Sequence, residues 1–148
     1  MSADAQSGVH GKFRRKLAQL VVLHLHRRLS YPAVACKVLD LVGAKNAGGF
    51  DIMANCTGFQ VGLGVVSDRM LADSSVEYGA VIGTALQSRY INWNDPDSAI
   101  YFGDGAGAAI LGKVPGVTAS SRTSFTNAKV YDSVRLRGGG SFPMRLKT

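Results

Sequence analysis

Short apolar segments separated by turn-forming residues constrain the fold of this chain more than any other sequence feature. Leu17 to Leu23 and Tyr78 to Leu86 are apolar runs with β-branched residues, which predicts two buried strands, and Gly49 to Met53 is a shorter third candidate. Apolar residues recur at helical spacing from Val34 to Val42, which predicts a helix. A longer apolar segment from Cys56 to about Ala72 predicts a second, buried helix with two apolar stripes, one of Phe59, Leu63, Val66 and Met70 and the other of Val61 and Val65. Strands that alternate with helices predict a layered α/β domain.

Two further apolar segments follow, Ser98 to Phe102 and Ala106 to Leu111, and they are joined by Gly103-Asp104-Gly105. Glycine and aspartate between two apolar runs predict a β-hairpin. Beyond Pro115 the sequence becomes polar and rich in serine and threonine, and it predicts no compact element there except a weak candidate from Lys129 to Leu136.

The charge distribution argues against nucleic acid as a partner. The net charge of +7 comes from the ends, because residues 1–30 and 116–148 each carry a balance of +5 and residues 31–115 carry −3. A nucleic-acid-binding domain needs its basic face on the folded part, with aromatic residues or a recognisable motif. With 46% hydrophobic residues in a chain of 148, the central part can bury a core of its own.

The two cysteines, Cys36 and Cys56, are too few for a disulfide scaffold and lack CxxC spacing. No run of about 18 apolar residues predicts a membrane-spanning helix. The apolar stretch from Leu17 to Leu25 is short and is followed by arginines instead of a small-residue cleavage site, so it does not predict a signal peptide. We therefore expect a cytoplasmic, thiol-reducing setting and no membrane partner.

Cys56 stands between a predicted strand and the first turn of a predicted helix, which is a reactive position for a thiol. The unpaired N–H groups and the dipole at a helix start favour negative charge, which stabilises a thiolate. The backbone N–H of the same residue can face the oxyanion that forms when a thiol attacks a carbonyl group. Ala54, Thr57 and Gly58 are small enough to leave the thiol accessible to a substrate. From position alone, a buried and inert cysteine is the competing interpretation.

Two motifs around this cysteine are similar to those of the β-ketoacyl-acyl-carrier-protein synthase III family. Residues 50–63, FDIMANCTGFQVGL, resemble its active-site segment, and residues 102–109, FGDGAGAA, resemble its glycine-rich motif. Between them, Val81-Ile82-Gly83 and Trp93-Asn94-Asp95 fall where the family has its third core strand and a WTD-like loop. The resemblance covers roughly residues 29–115.

The resemblance implies a thiolase-like half-domain with a mixed sheet and a buried helix after the nucleophile. It implies an acyltransferase in which Cys56 accepts an acyl group from acyl-coenzyme A or an acyl-carrier-protein thioester. Condensation with malonyl-acyl-carrier protein, with loss of carbon dioxide, would follow in fatty-acid or related biosynthesis. Gly103 to Gly107 would shape the backbone near the site, and a structural role is favoured for them. No cofactor or metal is implied, and the expected partners are acyl-carrier protein and a homodimer mate or second half-domain.

Two departures from the family pattern bear on activity. The family's catalytic histidine and asparagine come from a second half of the fold, whereas His10, His24 and His26 all precede Cys56 in unmatched sequence. Many members carry an arginine after the WTD-like loop that helps to hold the coenzyme A adenine, and Pro96 stands at that position here. The alternative to a complete enzyme is therefore a truncated, non-catalytic remnant or a half-subunit that needs a separate C-terminal domain.

Residues 24–28, His-Leu-His-Arg-Arg, replace a family segment that reads like Ala-Thr-Ser-Thr before an acidic residue. The codons CAC CTC CAC CGA CGA would encode these residues, and read one base later they would begin Thr-Ser-Thr-Asp. A local frameshift is one hypothesis, and resequencing that finds other codons would reject it. A metal site through His24 and His26, on one face of a strand, is the competing interpretation, but it lacks a third ligand.

The sequence thus predicts three regions. A divergent basic segment occupies residues 1–28, a thiolase-like core occupies 29–115, and a loop-rich basic tail occupies 116–148. Frameshift and truncation are both open as origins of the two unmatched ends.

Overall fold

The computed structural model describes residues 17–24, 32–116, 123–131 and 133, and for residues 17–24 it describes the backbone alone. The strands are β1 (Leu17–His24), β2 (Gly48–Ile52), β3 (Tyr78–Leu86) and β4 (Asp104–Gly112). The helices are α1 (Val34–Val42), α2 (Gly58–Ala72) and the short α3 (Pro96–Ala99), and single 3-10 turns occupy Asn55–Thr57 and Ala128–Val130. The three strands and two long helices predicted up to Leu86 are confirmed. Residues 1–16 and 25–31, with the His26 of the predicted metal alternative, lie outside the described residues.

The four strands form one mixed sheet in the order β2-β1-β3-β4. β1 pairs in parallel with β2 on one side and with β3 on the other, while β4 runs antiparallel to β3. The chain therefore moves outward from β1 to β2 and then back across β1 to β3. Because parallel crossovers share one hand, this reversal predicts that α1 and α2 lie on opposite faces of the sheet.

Side-chain alternation along β3 confirms that the two helices cover opposite faces. Ala80 and Ile82 pack in a cluster with α1, whereas Val81 packs in a cluster with α2. Successive residues of a strand point to opposite faces, so these clusters lie on either side of the sheet. The buried residues of the α1 cluster are Ala35, Ala44 and Ala80, and those of the α2 cluster are Val66, Met70, Val76 and Val81. The architecture is the layered α/β arrangement that the sequence predicted.

The hairpin predicted at Gly103-Asp104-Gly105 is wrong. Residues 96–99 form α3 instead of a strand, because the Asp95 side chain accepts hydrogen bonds from the Asp97 amide and from Ser98 Oγ, at 3.2 and 2.7 Å. Pro at the first helical position also fits a helix start, since its φ is fixed at a helical value. β4 begins at Asp104 itself and pairs along its nine residues with β3.

Helix α2 is buried along one stripe only. Of its two predicted apolar stripes, the one that contains Val66 and Met70 faces the sheet, and these residues are 0% and 6% exposed. On the other stripe, Val61 and Val65 are 37% and 36% exposed. The helix that was predicted to be buried is therefore half-buried.

No helix in the described part of the chain is long and apolar enough to cross a membrane.

Helix α1 begins where a carboxylate from β2 meets its first amides. Asp51 accepts hydrogen bonds from the Val34 amide through Oδ2 and from the Ala35 amide through Oδ1, both at 2.9 Å. Amide N–H groups in the first turn of a helix have no partner within the helix, so this carboxylate satisfies two of them and suits the helix dipole. The contact fixes α1 to the strand that leads into the Cys56 segment.

Replacing Asp51 with alanine is expected to lower the free energy of unfolding by about 1–2 kcal/mol, because two helix-end donors lose their acceptor. Urea unfolding followed by circular dichroism measures the change. The matched control is Asp40→Ala, which removes an exposed ion pair with Lys37 at 3.0 Å in the same helix. That control should cost no more than about 0.5 kcal/mol. Equal effects of the two substitutions would contradict the capping role of Asp51.

Candidate active site

An open cavity of about 290 Å³ lies where β2 and β3 end and β4 begins. Its wall is formed by residues of the β2–α2 connection, of the end of β3 and of the start of β4, and it includes Cys56, Phe59, Gly83 and Asp104. β1, β2 and β3 are parallel, so their carboxyl ends meet at this one edge of the sheet. Ligands of open α/β sheets bind preferentially outside such carboxyl ends.

Cys56 lies in the 3-10 turn that leads from β2 into α2, and it is exposed to the cavity. The turn is closed by Thr57, whose amide and Oγ1 both donate to the carbonyl oxygen of Ala54, at 3.2 and 2.9 Å. Asn55 has a φ of 47°, a left-handed conformation that asparagine tolerates better than most residues. This sharp turn presents the thiol at the start of α2, which is the strand-to-helix position that the sequence predicted.

The start of α2 is an electrostatically open helix end. Its N-cap, Thr57, makes no side-chain capping hydrogen bond, and no acidic residue lies in its first turn. Helix-start amides and the helix dipole favour negative charge. The backbone at this helix start therefore favours a negatively charged group in the adjoining cavity.

Glycines form the cavity wall on the β3 and β4 side. Gly83 pairs with Gly107 and Ala85 pairs with Gly105, so these positions share the face of the sheet that α2 covers. A Cβ atom at Gly83 would lie 3.3 Å from Cδ2 of Phe59, whereas at Gly105 and Gly107 it would meet nothing within 4 Å. Because Gly105 and Gly107 have no side chains, space remains open in the cavity that Cys56 lines. No other described residue packs closely against either glycine at the Cβ position.

Asp104 fastens the start of β4 to the turn after β3. Its Oδ1 accepts from the Ser88 amide at 2.8 Å and its Oδ2 accepts from Ser88 Oγ at 2.6 Å. The Trp93 indole Nε1 donates to the Ser88 carbonyl oxygen at 3.3 Å. The hydrogen bond from the Ser88 hydroxyl, followed by that from the Ser88 amide, holds the pKa of Asp104 below its usual 3.8. Sequence reasoning missed this contact, because the Gly-Asp-Gly segment was interpreted as a hairpin turn.

Asp104 is expected to make the protein sensitive to acid. Its folded-state pKa lies below the value of 3.8 that it has when unfolded, so its stabilisation is present above 3.8 and is lost as the pH falls through the lower folded value. Asp104→Asn, which has no carboxylate to protonate, should lose less thermal stability than the natural chain between about pH 5 and about pH 3. Thermal unfolding of both proteins across this range tests the prediction, and equal acid losses would contradict it.

The other sequence-derived candidates lie elsewhere or outside the described side chains. Cys36 is exposed on α1 and does not line the cavity. Pro96 opens α3 and also does not line it. His24 ends β1, but its side chain is outside what the structure describes. Within the described residues there is no group of three histidine, cysteine, aspartate or glutamate side chains that could hold a metal ion.

Comparison with known proteins identifies the family. The sequence profile of 3-oxoacyl-(acyl-carrier-protein) synthase III matches residues 50–129. The β-ketoacyl-(acyl-carrier-protein) synthase III of Natranaerobius thermophilus is 40% identical over 98 residues, which are 66% of this chain and 30% of that protein. The same enzyme of Clostridioides difficile is 36% identical over 113 residues, covering 76% of this chain and 34% of the relative. The crystal structure of 3-oxoacyl-(acyl-carrier-protein) synthase III from Aquifex aeolicus aligns with a TM-score of 0.65 at 28% identity, covering 69% of this chain and 33% of that one.

The profile matches more than half of the chain, and the matched segment includes Cys56 and β4. The chain therefore belongs to the 3-oxoacyl-(acyl-carrier-protein) synthase III family, and its fold is the thiolase-like fold that the motifs predicted. The chain spans about a third of the length of the curated relatives that it matches. The division of the chain into residues 1–28, 29–115 and 116–148 stays a prediction. The family profile begins at residue 50 and ends at residue 129, so neither of its ends coincides with a predicted boundary.

Proposed function

We propose that Cys56 is the nucleophile of an acyltransferase and that it accepts an acyl group from an acyl thioester. The observation that carries this proposal is the position of its exposed thiol, which lines an open cavity at the uncapped start of α2. Cys36 is also a free and exposed cysteine, but it has neither the cavity nor the helix start. Position in the fold therefore distinguishes the two thiols.

The proposed step is a thioester exchange. The Cys56 thiolate attacks the carbonyl carbon of the donor thioester and forms a tetrahedral oxyanion, which the amide of Cys56 and the helix start would stabilise. The carbon–sulfur bond of the donor then breaks. The acyl group remains on Cys56, and the donor leaves as a free thiol that takes up the proton released by Cys56. The exchange needs no oxidant or metal.

The donor that we propose is coenzyme A or acyl-carrier protein, both of which present the acyl group on a pantetheine arm. The glycine-lined wall opposite Cys56 leaves space for such an arm. Pro96, where many family members have an adenine-binding arginine, favours acyl-carrier protein as the donor. Free cysteines agree with a thiol-reducing, cytoplasmic setting in fatty-acid or polyketide-like biosynthesis.

Condensation with malonyl-acyl-carrier protein is the second proposed step, and it requires more than the cavity described here. Decarboxylation in this family uses a histidine and an asparagine from the second half of the fold. The lining residues of this cavity include Asn55 but no histidine. We propose that a second half-domain supplies those groups, and a non-catalytic remnant that accepts no acyl group is the alternative.

Intact-mass measurement after incubation with acetyl-coenzyme A, and separately with acetyl-acyl-carrier protein, tests the proposal. The expected result is one added acetyl group that hydroxylamine removes, as it does from thioesters. Circular dichroism establishes that the sample is folded. A folded chain that gains no acetyl group from either donor would favour the non-catalytic remnant.

A further inference from the structure

The antiparallel ladder between β3 and β4 ends at the cavity. Its last pair is Leu86 with Asp104, and the chain then turns away from β3 through hydrogen bonds from the Tyr90 and Ile91 amides to the Gln87 carbonyl oxygen. The Asp104 carboxylate extends the contact between the two segments beyond this last pair, because one of its oxygens accepts from the Ser88 amide and the other from the Ser88 hydroxyl. Two hydrogen bonds to one residue fix the orientation of the carboxylate as well as its distance.

The segment that this carboxylate holds has no other polar anchor. Residues 103–109 read Gly-Asp-Gly-Ala-Gly-Ala-Ala, so Asp104 is the one residue among them with a side chain larger than a methyl group. Added Cβ atoms at Gly103, Gly105 and Gly107 would meet nothing within 4 Å. Glycine also leaves the backbone more conformational freedom than any other residue. Without Asp104 this part of the wall would be held by its ladder hydrogen bonds alone.

Asp104 and Ser88 are exposed or half-exposed, so we expect their contact to make a modest contribution to the stability of the whole fold and to act mainly on the local geometry. The Ser88 hydroxyl bond of 2.6 Å has the short length of a charge-assisted hydrogen bond. Trp93 is tied to the same Ser88 through its indole Nε1. The turn after β3, the loop before α3 and the start of β4 therefore meet at one residue.

We propose that Asp104, acting through Ser88, is a positioning residue that holds the Gly103–Gly107 wall opposite Cys56 in the geometry that an acyl thioester needs. This inference rests on the proposed function of Cys56. Asp104 does not touch the reacting atoms. Its role is to set the width of the slot between the β4 backbone and the thiol. A shift of about 1 Å in such a wall can cost on the order of a hundredfold in rate.

The test compares Asp104→Ala with Asp104→Asn. Asparagine can keep both contacts, because its carbonyl oxygen accepts from the Ser88 amide and its amino group donates to Ser88 Oγ. Alanine removes both contacts. We expect acetyl transfer to Cys56 to slow by roughly ten- to a hundredfold in Asp104→Ala and to return to within about threefold of the natural rate in Asp104→Asn.

Two further readouts separate positioning from loss of structure. Alkylation of Cys56 by iodoacetamide needs no opposite wall, so its rate should change by less than about twofold in Asp104→Ala. Trp93 is the single tryptophan of the chain and is 65% exposed, so the anisotropy of its fluorescence reports on how firmly the contact with Ser88 holds its side chain. The anisotropy should fall in Asp104→Ala and return to the natural level in Asp104→Asn.

Several outcomes would overturn the inference. One is transfer at the natural rate in Asp104→Ala, and another is an equal loss of transfer and alkylation in both variants. If the natural chain is alkylated but takes no acetyl group, the proposed function fails and Trp93 decides the positioning role. Unchanged anisotropy in Asp104→Ala would then reject it, and a lower anisotropy that Asp104→Asn restores would support it.

Discussion

Replacement of Cys56 by serine is expected to abolish the hydroxylamine-sensitive acetyl adduct, while replacement of Cys36 by serine leaves it intact. A serine hydroxyl is un-ionised at neutral pH, and the lining residues of the cavity include no histidine to take its proton, so we expect acetyl transfer to fall by roughly a thousandfold or more. Both cysteines are exposed, which makes Cys36→Ser a matched control for the simple accessibility of a thiol. Intact-mass time courses with acetyl-coenzyme A and acetyl-acyl-carrier protein measure the effect.

Comparison of the two substitutions separates the accessibility of a thiol from its position in the fold. Accessibility alone predicts that each substitution removes about half of the label. The helix start and the cavity predict that Cys56→Ser removes all of it and that Cys36→Ser removes none. Label that persists in Cys56→Ser and disappears in Cys36→Ser would contradict the proposed function.

The second large effect is expected at Gly107. A leucine there would project from β4 into the cavity, because Gly107 pairs with Gly83 on the face that α2 covers. Its Cβ atom meets nothing within 4 Å, so the free energy of unfolding should change by less than about 1 kcal/mol. Occupation of the space beside Cys56 should nevertheless slow acetyl transfer by roughly tenfold or more.

Ala108→Leu is the matched control for Gly107→Leu. Ala108 is the next residue of the same strand, is exposed and pairs with Ile82 on the opposite face of the sheet. It should leave both stability and acetyl transfer near their natural values. Gly83→Leu is the contrasting case, because its Cβ would lie 3.3 Å from Phe59 and the overpacking should cost about 1–3 kcal/mol. Transfer that is equally fast in Gly107→Leu and Ala108→Leu would contradict a thioester slot along β4.

The sequence was sufficient to predict the elements whose periodicity is decided locally. β3 occupies the predicted residues 78–86, and α2 ends at Ala72 as its apolar pattern predicted. The two apolar stripes of α2 were also visible. Which stripe packs on the sheet could not be read from the residues, because both are apolar and only the tertiary arrangement buries one of them.

The missed features depend on contacts between distant residues. Gly-Asp-Gly between apolar runs has the composition of a hairpin turn, yet β3 offers β4 a nine-residue partner that outweighs the local turn preference. The Ser88–Asp104 contact joins residues sixteen positions apart, and the Asp51 cap joins residues sixteen and seventeen positions apart. Such contacts leave no periodic signal. The family resemblance located Cys56. Only the structure shows that glycines line its cavity at positions where an added Cβ atom would meet no neighbouring atom, as at Gly105 and Gly107.

Peptide mapping of the acetyl group determines directly which of the two cysteines accepts it. Trypsin separates the two cysteines, since Cys36 falls in the peptide 29–37 and Cys56 falls in the peptide 46–69. After incubation of the natural chain with acetyl-acyl-carrier protein, we expect an acetyl thioester in peptide 46–69 and none in peptide 29–37. An acetyl thioester confined to peptide 29–37, or a folded chain with neither peptide labelled by either donor, would contradict the assignment of Cys56 as the acyl acceptor.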